Sequence, residues 1–219
     1  MANLDVYFDF LSPYAYLGWH GAKPLAAEHG LSLRPRPVLF AALLGAHGHK
    51  GPAEIPPKRL WVFKETFRRA ALAGLPFGPP ESHPFRPLLA LRCVLAAPEA
   101  QRPALVDRLF AEAWGGEASR GLQDPETVAR RAHEAGLDGA ALVAAAGSDA
   151  VKASLRAETE AALARGVFGV PTYAAGDELF WGYDALDLVA LHLDGKDPLD
   201  AAALEAWADL PASARRAHS

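Results

Sequence analysis

Strand-forming sequence lies only near the two ends of this chain. Residues 4–8, Leu-Asp-Val-Tyr-Phe, are rich in branched and aromatic types, and residues 31–39 alternate apolar and polar before running into Pro35 and Pro37. Strand character returns only at residues 172–174 and 179–181, across a plausible hairpin turn at 175–178. Between about residues 40 and 165 the chain is Ala-, Leu- and Arg-rich, broken by Gly and Pro, with no convincing strand. Any sheet must therefore join the ends of the chain around a long helical stretch.

The first strand leads directly into Ser12-Pro13. Serine suits a helix cap, and proline suits the first helical position, where its missing N–H costs nothing. A helix follows over residues 14–28, with His29-Gly30 as its stop. This places a hydroxyl at a helix N-terminus, where orphan N–H groups and the macrodipole favour an anion. Taken alone, a Ser-Pro pair is usually an ordinary cap. The strand at 31–39 completes a βαβ unit and belongs towards a sheet edge because of its prolines. No glycine-rich fingerprint fills the first turn, so no dinucleotide site is indicated.

Helical signals then recur. Pro56-Pro57 opens a helix over 58–73, stopped by Gly74; others span 87–97 and 103–114. Asp124-Pro125 starts a fourth that ends at Gly136, and Asp138 and Ser148 cap two more, the last ending at Gly166. After the hairpin, Tyr183-Asp184 caps a helix carrying Leu186, Val189, Ala190 and Leu193. In the Ala-rich tail, residues 204–210 form a short helix stopped by Pro211, and the last eight residues are expected to be disordered. The organisation is an α/β domain from residues 1–40 and 166–200, an inserted helical domain at 41–165 and a tail at 201–219.

Composition excludes several functions. A net charge of -4 with scattered Lys and Arg gives no nucleic-acid footprint. No apolar run approaches the ~20 residues of a membrane span, and residues 1–5 carry no secretory signal. Cys93 is the single cysteine, so there is no intrachain disulfide, no finger-type zinc cluster and no sign of an oxidising compartment. No metal constellation stands out among the eight histidines. A cytoplasmic location is expected.

Val170-Pro171-Thr172 before a hairpin, with strand, turn and helix at the start, resembles a thioredoxin-like fold interrupted by a helical insertion, as in DsbA-type oxidoreductases and kappa-class glutathione transferases. The segments YFDFLSPYAYLG, PVLF, PAEIPPKRLW, HPFRPLLALR, ARGVFGVPTY and ELFWGYDALD more closely resemble the 2-hydroxychromene-2-carboxylate isomerases, a kappa-like branch. The resemblance implies a cis Pro171 facing the first turn, and glutathione as cofactor. It also implies a small aromatic 2-oxo acid as substrate and a homodimer.

A thiol oxidoreductase needs a cysteine at the first turn, because the thiolate is the nucleophile. Here the turn reads Ser12-Pro13-Tyr14-Ala15, which rules out disulfide exchange by the protein itself and leaves a site shaped for another molecule's thiolate. Ser12 can donate to that sulfur, and the helix dipole lowers its pKa. By resemblance, Val170 pairs its backbone with the cysteinyl unit of glutathione beside Pro171. Asp184 and Tyr183 receive the γ-glutamyl end, and Lys58 and His49 contact glutathione or the acidic substrate. Relatives often carry asparagine at the position of His49 and arginine where this chain has Ala185. Tyr14, Trp61 and Trp181 are candidates to line an aromatic substrate site with Lys58.

The chemistry so implied is cis–trans isomerisation of an arylidene pyruvate through reversible thiolate addition. The alternatives are a kappa-like transferase, which would consume glutathione, and a non-catalytic thioredoxin-like binder. Bland readings stand beside these roles: Lys58 and His49 as solvated residues, Asp184 as a plain cap and Trp61 as core or pocket wall.

Overall fold

The computed structural model describes residues 2–116 and 121–211. Its sheet comprises β1 (Asn3–Phe8), β2 (Ser32–Pro37), β3 (Thr172–Ala175) and β4 (Glu178–Trp181), in the order β2-β1-β3-β4. β1 pairs parallel with β2, Asn3 facing Ser32 and Phe8 facing Pro37. It pairs antiparallel with β3, Leu4 facing Ala175 and Tyr7 facing Thr172. The two ends of the chain thus meet along one central strand, and the proline-bearing β2 takes an edge, where a missing N–H leaves no ladder bond unmade.

Central position explains the composition of β1. Leu4, Val6 and Phe8 enter the larger core, while Tyr7 joins Val38, Leu43, Val170 and Ala174 in a smaller cluster. Both faces of the strand are covered, so apolar side chains are needed on each. The larger core also takes Trp19, Leu91, Leu105, Phe110 and Leu142. The rings of Phe8, Phe10 and Phe110 meet at centroid distances of 5.1, 5.4 and 4.8 Å, within the range of favourable aromatic pairs.

The helices are α1 (Pro13–Glu28), α2 (Phe40–Ala46), α3 (Pro56–Leu72), α4 (Leu88–Ala96), α5 (Arg102–Trp114), α6 (Pro125–Glu134), α7 (Gly139–Ala146), α8 (Asp149–Ala164), α9 (Leu186–Leu193) and α10 (Ala201–Ala208). Ser12, Asp124, Asp138 and Ser148 each accept a hydrogen bond from the backbone N–H three residues on, the cap geometry their residue types suggest. Three elements differ from the reading of the sequence. α2 carries no side-chain cap and buries only Leu43, so the sequence gives it no start signal. Tyr183–Ala185 is a 3₁₀ turn preceding α9, and neither the Tyr183 nor the Asp184 side chain caps that helix. α10 begins at Ala201 rather than at residue 204. The expected disorder of residues 212–219 falls outside the described residues.

α1 crosses the start of β3 at Gly18. A Cβ there would lie 2.3 Å from the Tyr173 hydroxyl and 2.9 Å from Pro171 Cγ, so only glycine lets the helix settle against Pro171. Gly18→Ala should therefore force α1 away and lower stability by about 1–3 kcal/mol, the usual range for overpacking. Chemical denaturation measures it, and unchanged stability would show that the contact yields.

Candidate active site

The turn between β1 and α1 is held by residues from three other parts of the chain. Asp9 is 2% exposed, and its carboxylate accepts from Leu11 N and from Phe40 N, each at 3.0 Å. It therefore clamps the turn to the start of α2. The Trp114 indole donates to Phe10 O at 2.8 Å, and His83 Nε2 lies 3.0 Å from Leu11 O. A carbonyl can only accept, so Nε2 must carry the His83 proton. Phe63, Phe85 and Trp114 surround that ring, and burial lowers its pKa. The ring is therefore neutral at pH 7. Ser12 N donates to Asp9 O at 3.0 Å.

Fixed in this way, Ser12 begins α1. Its Oγ accepts from Ala15 N at 3.2 Å and donates to Val170 O at 3.5 Å. The second bond is long, and bonds of that length are weak; the hydroxyl proton is free to turn towards a better acceptor. No acidic residue occupies the first turn of α1, so nothing there competes for the positive end of its dipole.

Val170 stands just before the cis Val170–Pro171 peptide and outside the ladder, which begins at Thr172. Among the described residues its N–H has no partner, and its carbonyl has only the long contact with Ser12. A buried residue with an unmade backbone pair is a place where an extended ligand can add itself as a strand. Pro171 O accepts from Gly182 N at 2.9 Å, which carries the arrangement on to the 3₁₀ turn. Gly182 has φ +105°, and a Cβ there would meet Asp184 Oδ1 at 2.6 Å. Glycine is needed both for that backbone and for the folded-back Asp184 carboxylate.

The structure thus brings Ser12, Val170, Pro171, Tyr183 and Asp184 into one continuous stretch. Tyr14 joins it from α1, its hydroxyl donating to Glu65 of α3. Burial, then that hydrogen bond and the Glu65 charge, hold the phenol well above its ordinary pKa. His49, Lys58 and Trp61 are different: all three are exposed, and none bonds to these residues among those described. His49 lies in the loop after α2, its ring 6.0 Å from that of His47, and Lys58 and Trp61 occupy the first turns of α3. The Trp181 ring meets that of Phe168 at a centroid distance of 5.0 Å, tilted by 58°, and its indole lies against Gly169. The groups that hold the turn, Asp9, His83 and Trp114, escaped the sequence reading. A charged residue within the apolar stretch ending β1 was the one available signal, and it marks Asp9 alone.

Burial raises the Asp9 carboxyl from 3.8 to about 6, against the two backbone hydrogen bonds that lower it. Folded Asp9 holds its proton more tightly than unfolded Asp9. Stability from this group is greatest below the lower value and falls as pH rises through that window, by up to about 3 kcal/mol. Urea denaturation at pH 4 and pH 7 should show this loss in wild type, with the corresponding component absent in Asp9→Asn. The same pH response in both proteins would contradict it.

The family described as DSBA-like thioredoxin domain matches residues 3–194. The 2-hydroxychromene-2-carboxylate isomerase of Pseudomonas putida is 33% identical over 186 residues, which span 84% of this chain and 90% of that protein. Glutathione S-transferase kappa 1 of Rattus norvegicus is 27% identical over 206 residues, 88% of this chain and 91% of that one. A solved 2-hydroxychromene-2-carboxylate isomerase superimposes with TM-score 0.77 at 29% identity, covering 95% of this chain and 99% of the other. With a serine-led turn in place of a cysteine pair, and with these relatives matched almost end to end, the chain belongs to the DsbA-like thioredoxin family and, within it, to the 2-hydroxychromene-2-carboxylate isomerases.

Proposed function

We propose that this protein is a glutathione-dependent isomerase that interconverts 2-hydroxychromene-2-carboxylate and trans-o-hydroxybenzylidenepyruvate. The observation that carries the reading is the Ser12 hydroxyl at the start of α1, facing the open backbone of Val170. Glutathione, when bound, supplies a thiolate whose reversible addition to the conjugated double bond lets that bond rotate as a single bond. The fit rests on the unpaired Val170 N–H, which suits a peptide backbone, and on the weakly engaged Ser12 proton, which suits a sulfur anion.

The residues divide the work. Ser12 donates to the sulfur and, with the α1 N-terminus, favours its charged form. Val170, beside Pro171, orients the cysteinyl unit, and Asp184 with Tyr183 receives the γ-glutamyl end. Lys58 and His49, being exposed and without an ion pair among the described residues, are available for the substrate's carboxylate, and Tyr14 and Trp61 for its ring. Exposed Leu60, Phe67 and Leu72 on α3 support a homodimer. No helix among the described residues is long and apolar enough to cross a membrane, and a cytoplasmic location accords with the single buried Cys93.

Incubation with trans-o-hydroxybenzylidenepyruvate tests the reading. Turnover should require glutathione and return it unconsumed, and Ser12→Ala should lower kcat by about a hundredfold, as for loss of a donor to a developing anion. Stoichiometric loss of glutathione to a conjugate would favour the transferase reading, which the kappa relatives support. Full activity in Ser12→Ala would remove the thiolate role.

A further inference from the structure

α3 reaches both ends of the site through two side chains one turn apart. Glu65 accepts the Tyr14 hydroxyl, two residues beyond Ser12. It also accepts from Arg69 Nε at 2.8 Å and pairs with Arg69 Nη2 at 2.7 Å. The Arg69 guanidinium stands 5.4 Å over the ring of Tyr183, the residue before Asp184. The Glu65 hydrogen bond, then the charges of Glu65 and Asp184, hold the Arg69 pKa above its ordinary value. The Asp184 carboxylate is thus within electrostatic reach of Arg69.

A guanidinium has five donors in one plane. Glu65 takes one edge of it, through Nε and Nη2, and Nη1 has no partner among the described residues. Because Glu65 is also tied to Tyr14, it fixes where the remaining edge points. The corner around Tyr183 therefore offers an exposed carboxylate and an oriented, open cationic edge. An α-amino acid end, with ammonium and carboxylate on one carbon, is the ligand chemistry that matches both.

We propose that Arg69 binds the α-carboxylate of the γ-glutamyl unit while Asp184 takes its ammonium, so that this corner selects glutathione over thiols lacking an amino-acid end. The proposal rests on the glutathione reading above. It assigns the carboxylate to a side chain of α3 that stands over the ring of Tyr183.

Calorimetric titration of the full chain with two ligands tests it: glutathione, and 4-aminobutanoyl-cysteinylglycine, the same molecule without the α-carboxylate. Wild type should prefer glutathione by about tenfold to a hundredfold, the range for a hydrogen bond to a charged group. Arg69→Gln should lose that preference and bind the analogue as wild type does. Arg69→Lys, which keeps the charge without the fork, should fall between. A preference retained in both variants, or equal weakening of both ligands in Arg69→Gln, would overturn the role; the second would show that Arg69 acts only by supporting Glu65 and Tyr14. A wild type that binds neither ligand would overturn the glutathione reading together with the proposal.

Discussion

Ser12 and Val170 stand 158 residues apart in sequence and share a hydrogen bond. β1 is the reason they meet: the strand ends in the turn that carries Ser12 and pairs with β3, which starts just after Pro171. Long-range pairing of this kind must hold against the loop-closure entropy of everything between. Burial of Leu4, Val6 and Phe8 on one face and Tyr7 on the other supplies the opposing term. Gly18 then allows α1 to rest on Pro171. The distance from hydroxyl to open backbone is thus set by the packing of the whole α/β layer.

The helical stretch holds the turn as much as the sheet does. Trp114 of α5 and His83, in the segment before α4, take the carbonyls of Phe10 and Leu11, while Asp9 takes the N–H groups of Leu11 and Phe40. A turn with its backbone groups so engaged cannot relax into a different cap, which is what a preorganised donor requires. α3 adds a second connection through Glu65, joining Tyr14 at one end of the stretch to Arg69 and Tyr183 at the other. Residues of α2, α3 and α5 thus fix one small region just beyond the end of the central strand β1.

Much of this was legible in the sequence where local chemistry sets the structure. Ser12, Asp124, Asp138 and Ser148 cap helices because their side chains reach their own backbone, which needs no tertiary information. The prolines of β2 placed it at an edge for an equally local reason. What stayed hidden depends on distant partners. α2 has a nearly exposed surface and no cap, and Asp184 folds back over Gly182 instead of capping α9. Arg69 escaped the sequence reading, because nothing in the spacing of α3 shows that Tyr183 lies beneath its guanidinium. The exposed Lys58 and His49 were marked by family resemblance alone, since solvent-facing side chains leave no packing signature, and Trp61, read as core or pocket wall, is exposed instead.

The central claim is that the start of α1 stabilises a ligand's sulfur as an anion. The most direct measurement is the thiol pKa of bound glutathione, followed by the ultraviolet absorbance of its thiolate across a pH titration of the complex. Donation from Ser12 and the dipole of α1 should bring that value well below the ordinary thiol value of about 8.5. A bound thiol that titrates at the free value would contradict the account.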